Sequence, residues 1–309
     1  MTVTSFSQLI RWKNLVMIIG IQLLFKYNYF AIFSVATALN SFDFSLLQFA
    51  TVAIAAAGYI INDIYDTTAD AVNKPKKVII GTIISKKQGY RYYYTLNALG
   101  LLAGFYVAYK VGKPSFIAIF IIAVLLLKVY NSDLKKMPVI GNFIVSLLVS
   151  LSILIVGVFD IIPAITDKNV VGQYHAFQVL IDYSVFAFMF MFLREIVKDI
   201  EDISGDKKMN MNTLPILLGR KRTKNIVFSL SFIPLILVTL YSFNNFSDVP
   251  FLLAYMLIVV MLPLLYFMTK ILYAKTKEDY TLASNLLKII MLLGMLSIIV
   301  ISFTIEYVA

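Results

Sequence analysis

The chain of 309 residues holds only 17 acidic side chains, and eight of them crowd into two short stretches. The first reads Asn62-Asp63-Ile64-Tyr65-Asp66-Thr67-Thr68-Ala69-Asp70. The second reads Arg194-Glu195-Ile196-Val197-Lys198-Asp199-Ile200-Glu201-Asp202-Ile203-Ser204-Gly205-Asp206. Asp63, Asp66 and Asp70 stand at i, i+3 and i+7, and Asp199, Asp202 and Asp206 repeat that spacing. On a helix such positions share one face. Three like charges in a row repel each other, so each ladder calls for cations. Carboxylates without histidine or cysteine select hard cations. Mg2+ in particular takes one or two carboxylates and completes its shell with phosphate oxygens and water. Two facing ladders could therefore hold a small Mg2+ cluster around one diphosphate. The bland alternative is a pair of solvated helix ends. It is disfavoured because ionisable residues at membrane depth are costly and usually functional.

Basic residues accompany the acids. Lys74, Lys76 and Lys77 follow the first ladder, Arg194 and Lys198 precede the second, and Lys135 and Lys136 come shortly after Tyr130. A metal-bridged diphosphate keeps excess negative charge, which cationic side chains can stabilise as it leaves. For any single lysine, anchoring at the membrane surface is an equally ordinary role. Cysteine is absent and His175 is the single histidine, so thiol chemistry and histidine metal clusters are excluded.

These side chains must be positioned by helices in a membrane. Sixty per cent of the residues are apolar, 14% are charged and the mean hydropathy is +0.85. Soluble domains are about 45–50% apolar and about 25% charged. A soluble enzyme, a disordered chain and a fibre are excluded. Nine apolar stretches predict spans at roughly 14–34, 45–62, 92–110, 115–132, 139–162, 176–197, 225–243, 250–270 and 283–305. The expected fold class is an all-α, polytopic nine-helix bundle, with 1–309 as a single integral membrane domain. The first span carries Lys26. With no small-residue cleavage site after it, it reads as a retained helix. Most of the 27 Lys and Arg fall on one side if the N-terminus is cytoplasmic, with long loops at 63–91 and 198–224. The net charge of +10 then points to lipid headgroups and orientation rather than to nucleic acid.

Asn62-Asp63-x-x-Asp66-x-x-x-Asp70, followed by Asn73-Lys74-Pro75 and Gly81, resembles the first acidic motif of the UbiA superfamily of intramembrane prenyltransferases. Asp199-x-x-Asp202-x-x-Gly205-Asp206, then Thr213-Leu214-Pro215 and Gly219, resembles the second. Tyr130, Leu134-Lys135 and Gly141-Asn142 are similar to the family's middle loop. The chain departs at Lys77-Val78, where the family often has Arg-Pro, at Trp12, where Pro is common, and near Asn210, where Gly is common. The string Arg194-Glu195-x-x-Lys198-Asp199-Ile200-Glu201-Asp202 looks most like the branch that includes archaeal-type digeranylgeranylglyceryl phosphate synthases.

The resemblance implies a nine-span bundle that transfers a prenyl group from an allylic diphosphate donor to a lipophilic acceptor within membrane lipid. It implies Mg2+ on Asp63, Asp66, Asp70, Asp199, Asp202 and Asp206. Asn62, Lys74, Lys77, Tyr130, Lys135, Arg194 and Lys198 become candidate substrate-binding residues. The acceptor is either a glycerol phosphate ether lipid, with Glu195 or Glu201 as a candidate base, or an aromatic acid of the 4-hydroxybenzoate or naphthoate type. Tyr65, Tyr130, Phe190 and Phe192 are candidates to flank an allylic cation, and the run Phe186–Phe192 suits an isoprenoid groove, although ordinary lipid-facing packing would also account for it. The expected location is the inner membrane, with the site facing the cytoplasm. A divalent-cation transporter is the rival from another class. It would place its acids near mid-membrane, where this chain has almost no charge.

Overall fold

The computed structural model describes residues 3–75 and 78–307. A short helix α1 (Val3–Leu9) stops at Arg11, whose left-handed backbone (φ 51°, ψ 52°) turns the chain into α2 (Trp12–Ile32). Then come α3 (Ser41–Tyr65), α4 (Thr67–Asn73), α5 (Lys86–Lys110), α6 (Pro114–Ser132), α7 (Ile140–Ala164), α8 (Val170–Lys208), α9 (Arg220–Phe246), α10 (Pro250–Tyr273) and α11 (Lys277–Tyr307). Eight of the described helices are long and apolar enough to cross a membrane. The span expected at 92–110 is α5. Its 25 residues extend about 37 Å, enough to cross, but Tyr90, Arg91, Tyr92, Tyr93 and Tyr94 make it the most polar of the nine.

Local chemistry sets several boundaries. Asn40 caps α3 by accepting the Asp43 N–H at 2.9 Å, and Ser85 with Gln88 forms a capping box at the start of α5. Helix α5 packs along α3 and reaches α6 at Gly104, where a Cβ would sit 2.6 Å from the Phe120 ring. Only glycine permits that approach.

Two apolar clusters flank the middle of the molecule. One gathers α8, α9, α10 and α11 around Leu193, Phe267 and Ile290, and the other gathers α2, α3, α6, α7 and α8 around Phe25, Phe44, Phe159 and Leu180. The charge in the first span has a specific answer. Lys26 lies in a π-helical turn of α2 (Leu24–Tyr29), and Asp160 lies in a matching turn of α7 (Gly157–Ile161). The ammonium meets Asp160 Oδ2 at 2.8 Å and the Leu39 carbonyl at 2.6 Å, with both charged residues buried. Removing either partner would leave a buried charge uncompensated, which explains how a lysine is tolerated here. His175 is exposed, near the N-terminal end of α8, far along that helix from its acids.

Candidate active site

The first acidic ladder is not one continuous helix. Helix α3 ends at Tyr65, Asp66 takes φ −89° and ψ 6°, and α4 resumes at Thr67. The Asp66 N–H still donates to the Asn62 carbonyl at 2.8 Å, and the Asp70 N–H to the Asp66 carbonyl at 2.8 Å. The i→i−4 pattern thus passes through the break, and all three carboxylates line the same cavity. The second ladder behaves as its spacing predicts. Asp199, Asp202 and Asp206 stand on the unbroken α8, whose 39 residues span about 58 Å. That exceeds the hydrocarbon core of about 30 Å, so the helix extends well past the apolar layer.

The two ladders are tied together. Asn73, at the end of α4, donates to the Asp202 carbonyl at 2.9 Å and accepts the Gly205 N–H at 2.9 Å. A Cβ on Gly205 would lie 2.3 Å from Asn73 Nδ2 and 2.7 Å from the Ala69 carbonyl oxygen, so α4 meets α8 only because that residue is glycine. Lys74 Nζ adds an ion pair to Asp202 Oδ2 at 2.7 Å. Burial opposes the charge on Lys74, but the Asp202 carboxylate overrides it and holds the ammonium above its ordinary pKa.

Other elements bring further partners. Lys135 follows α6 and pairs with Asp66. Asn62 donates to Asp66 Oδ2 at 2.8 Å and to Asn131 Oδ1 at 3.0 Å, and Asn142 of α7 donates to Asp199 Oδ2 at 2.8 Å. Arg11 Nη2 donates to Asn62 at 2.8 Å and to Asp63 at 3.1 Å, with its guanidinium 4.9 Å from the Tyr59 ring centroid. Lys198 donates to both Glu195 oxygens at 2.8 and 3.1 Å, and Arg194 Nη1 to one of them at 3.2 Å.

All six aspartates line one cavity of about 820 Å3, together with Asn62, Lys74, Tyr130, Lys135, Arg194 and Lys198. Lys77 lies outside the described residues. An apolar chamber of about 150 Å3 adjoins it. Asn14, Tyr59, Met191, Arg194 and Lys288 belong to both walls, and Phe186, Phe190, Tyr241 and Met256 line the chamber alone. Tyr65 and Phe192 line neither space, and Glu201 turns away to accept from Thr281 at 3.0 Å.

Whether these residues suit Mg2+ can be judged from their donor atoms. The set is oxygen-only, as a hard cation prefers. Asp202 Oδ1 is buried with no hydrogen-bond partner, and Asp70 and Asp206 have no ion-pair partner among the described residues. Burial, then the neighbouring Asp66 and Asp63, push the Asp70 carboxyl up to about 6. Each of these features is a strain that a divalent cation relieves. No three carboxylates converge on one point among the described residues. Water and substrate oxygens would therefore have to complete any coordination shell, as is usual for Mg2+.

The profile of the UbiA prenyltransferase family matches residues 27–300, most of the chain. The chain belongs to the UbiA prenyltransferase family. Several curated relatives are digeranylgeranylglyceryl phosphate synthases. That of Methanococcoides burtonii is 31% identical over 305 residues, 96% of this chain and 99% of its own. That of Methanosphaera stadtmanae is 32% identical over 244 residues, 78% and 81% of the two chains. That of Sulfolobus acidocaldarius is 35% identical over 170 residues, 55% of either chain. A structure solved in work on digeranylgeranylglyceryl phosphate synthase in membranes is 26% identical, with a TM-score of 0.64 over 98% of this chain and 99% of that one. A UbiA homologue from Archaeoglobus fulgidus bound to GPP and Mg2+ shares the fold at 17% identity, with a TM-score of 0.57 over 95% and 99%. This family member is thus a multi-pass membrane prenyltransferase.

Some residues at the site of this prenyltransferase escape sequence reasoning. Arg11 looks like a topology marker at the head of a span, yet it holds Asn62 and Asp63. Lys288 is the lone cation within the last span, which marks it as functional by cost alone. It lines both spaces and donates to Asn14 Oδ1 at 2.6 Å. Asn131, which accepts from Asn62, carries no pattern of its own, whereas Asn142 belongs to the middle-loop resemblance. Asn210 adopts φ 52°, a left-handed conformation that asparagine tolerates.

Proposed function

We propose that this prenyltransferase ionises an allylic prenyl diphosphate with the help of Mg2+. The prenyl group is then joined to the hydroxyl of a glycerol phosphate ether lipid. The observation that carries this reading is that both acidic ladders line one cavity, which continues into an apolar chamber. Bound Mg2+ would supply Lewis acidity to the diphosphate leaving group. Asp63, Asp66, Asp70, Asp199, Asp202 and Asp206 would hold it. Of these, Asp70, Asp199 and Asp206 are free of ion pairs among the described residues and can bind without releasing a cation.

Lys74, Lys135 and Arg11 rest on Asp202, Asp66 and Asp63. From there they can turn to phosphate oxygens as charge builds on the leaving group, a task that sequence extends to Lys77. Asn62 fixes the Asp66 carboxylate. Tyr130 lines the cavity, where its ring would favour positive charge on the allylic carbon. The bond from the allylic carbon to the diphosphate oxygen breaks, and the acceptor hydroxyl oxygen supplies the new electron pair. Its proton leaves to a diphosphate oxygen. Of the two candidate bases, only Glu195 reaches the cavity, and two cations already claim its carboxylate. It serves as an organiser of charge rather than a base.

The names of the relatives support the glycerol phosphate acceptor, and the basic loops support a site facing the cytoplasm from the inner membrane. The test is product analysis by mass spectrometry. The purified protein is offered geranylgeranyl diphosphate with a glycerol phosphate ether lipid, 4-hydroxybenzoate and a dihydroxynaphthoate, with and without EDTA. An ether-linked product that disappears with EDTA is expected. Carbon-prenylated aromatic acids alone would overturn the acceptor.

A further inference from the structure

The charges around the cavity are equal in number but unevenly paired. Seven carboxylates and seven cationic side chains line it among the described residues. At the ladder end, Arg11, Lys74 and Lys135 are each spent on one aspartate, and Asp70, Asp199 and Asp206 are left over. Elsewhere in the lining, Arg194 and Lys198 share a single carboxylate, Glu195, while Lys288, held by Asn14, and Lys13 have no ion-pair partner among the described residues. The first pole has a negative surplus that suits divalent metal. The second has a positive surplus.

We infer that Arg194, Lys198 and Lys288 form a second anion site, separate from the metal pole, that takes the terminal phosphate of the lipid acceptor. This rests on the proposed function and specifies its acceptor subsite. A phosphomonoester has its second pKa near 6, so it carries close to two charges at neutral pH. It uses that surplus more fully than a singly charged carboxylate acceptor would. The donors are placed for it. Arg194 Nε is buried with no partner, and a guanidinium fork suits phosphate. Lys288 has three N–H donors. Asn14 takes one of them and is itself anchored, donating to the Tyr59 hydroxyl at 3.1 Å. Arg194 and Lys288 stand where the polar cavity meets the apolar chamber. A phosphate held there has greasy walls on one side and the diphosphate pole on the other. That geometry selects a phosphate with a hydrocarbon attached over free inorganic phosphate.

The test separates binding from turnover. The full chain in nanodiscs, with EDTA present, is titrated with a long-chain 1-O-alkylglycerol phosphate, with its dephosphorylated alcohol, and with inorganic phosphate. The phosphate lipid is expected to bind at least about tenfold tighter than the alcohol, the value of one charge-assisted contact. Inorganic phosphate should not compete. Lys288→Gln should erase most of that preference and Lys288→Arg should keep it. In turnover, Lys288→Gln should raise the acceptor KM about tenfold while the donor KM stays within about twofold. Equal binding of lipid and alcohol by the wild type, competition by inorganic phosphate, or a Lys288→Gln variant with its preference intact would each overturn the site. A rise in donor KM instead would assign these cations to the diphosphate and also overturn it. If the wild type prenylates only aromatic acids yet prefers the phosphate lipid about tenfold, the acceptor reading fails and the anion site stands.

Discussion

Asn73 reads α8 from its backbone: its side-chain amide donates to the Asp202 carbonyl and accepts the Gly205 N–H, both at 2.9 Å. One side chain thereby fixes the distance between two acidic ladders that are far apart in sequence. Gly205→Ala should push α4 away, because the Ala69 carbonyl oxygen at 2.7 Å from the new Cβ is backbone and cannot rotate aside. Overpacking of this kind costs about 1–3 kcal/mol. A drop in thermal midpoint together with a loss of prenyl transfer is expected. Wild-type turnover in Gly205→Ala would show that the spacing of the ladders is not critical.

Asp202→Asn and Asp66→Asn should each abolish Mg2+-dependent transfer. They remove the charge while keeping shape, so the protein should remain monodisperse in detergent. A loss of at least about a hundredfold in kcat is the scale of one lost transition-state interaction. Transfer within about threefold of wild type in either variant would remove that carboxylate from the metal site.

The Asp70 carboxyl, raised to about 6 by burial and by Asp66 and Asp63, gives a pH signature. Because the folded state binds this proton more tightly than the unfolded chain, its contribution to stability without metal is lost as pH rises from about 4 through about 6. Mg2+ binds the ionised carboxylate. The gain in thermal midpoint on adding Mg2+ should therefore be larger at about pH 7.5 than at about pH 5. Melting curves with and without Mg2+ at both values check this, and equal gains would remove Asp70 from the cation site.

The Lys26–Asp160 pair makes a prediction that should not touch the chemistry. Lys26→Met alone should destabilise the protein by about 3–5 kcal/mol, since it strands a buried carboxylate. The double variant Lys26→Met/Asp160→Leu should recover much of that stability, and the KM for the donor should not change in it. A stable single variant would mean that water or lipid headgroups satisfy Asp160 instead.

The parts of this molecule that were legible in the sequence share a property: their periodicity or cost leaves a trace. Spans announce themselves by apolar runs. The ladder on α8 is a pure i, i+3, i+7 pattern, and α8 keeps it on one face. The ladder around Asp66 carries the same pattern and still breaks into two helices, because spacing does not encode where a helix ends. Arg11 was hidden for a different reason. A cation at the head of a span has an ordinary use in orientation, so nothing in its position shows that its backbone turns left-handed and returns it to Asn62 and Asp63. Asn131 reaches the site through Asn62 on another helix, a pairing that no single stretch of chain displays.

Helix α8 carries both the aspartates of the second ladder and two chamber aromatics, Phe186 and Phe190, on one unbroken rod. At 1.5 Å per residue, about 20 Å of axis separates Phe186 from Asp199. That rod is a ruler with its zero mark at the acids. Any substrate whose head is pinned beside Asp199 has its tail measured against fixed graduations, and changing a single aromatic on α8 moves a graduation without moving the zero. On the proposed function, chain-length preference can therefore change through the chamber aromatics while the acidic end stays in register.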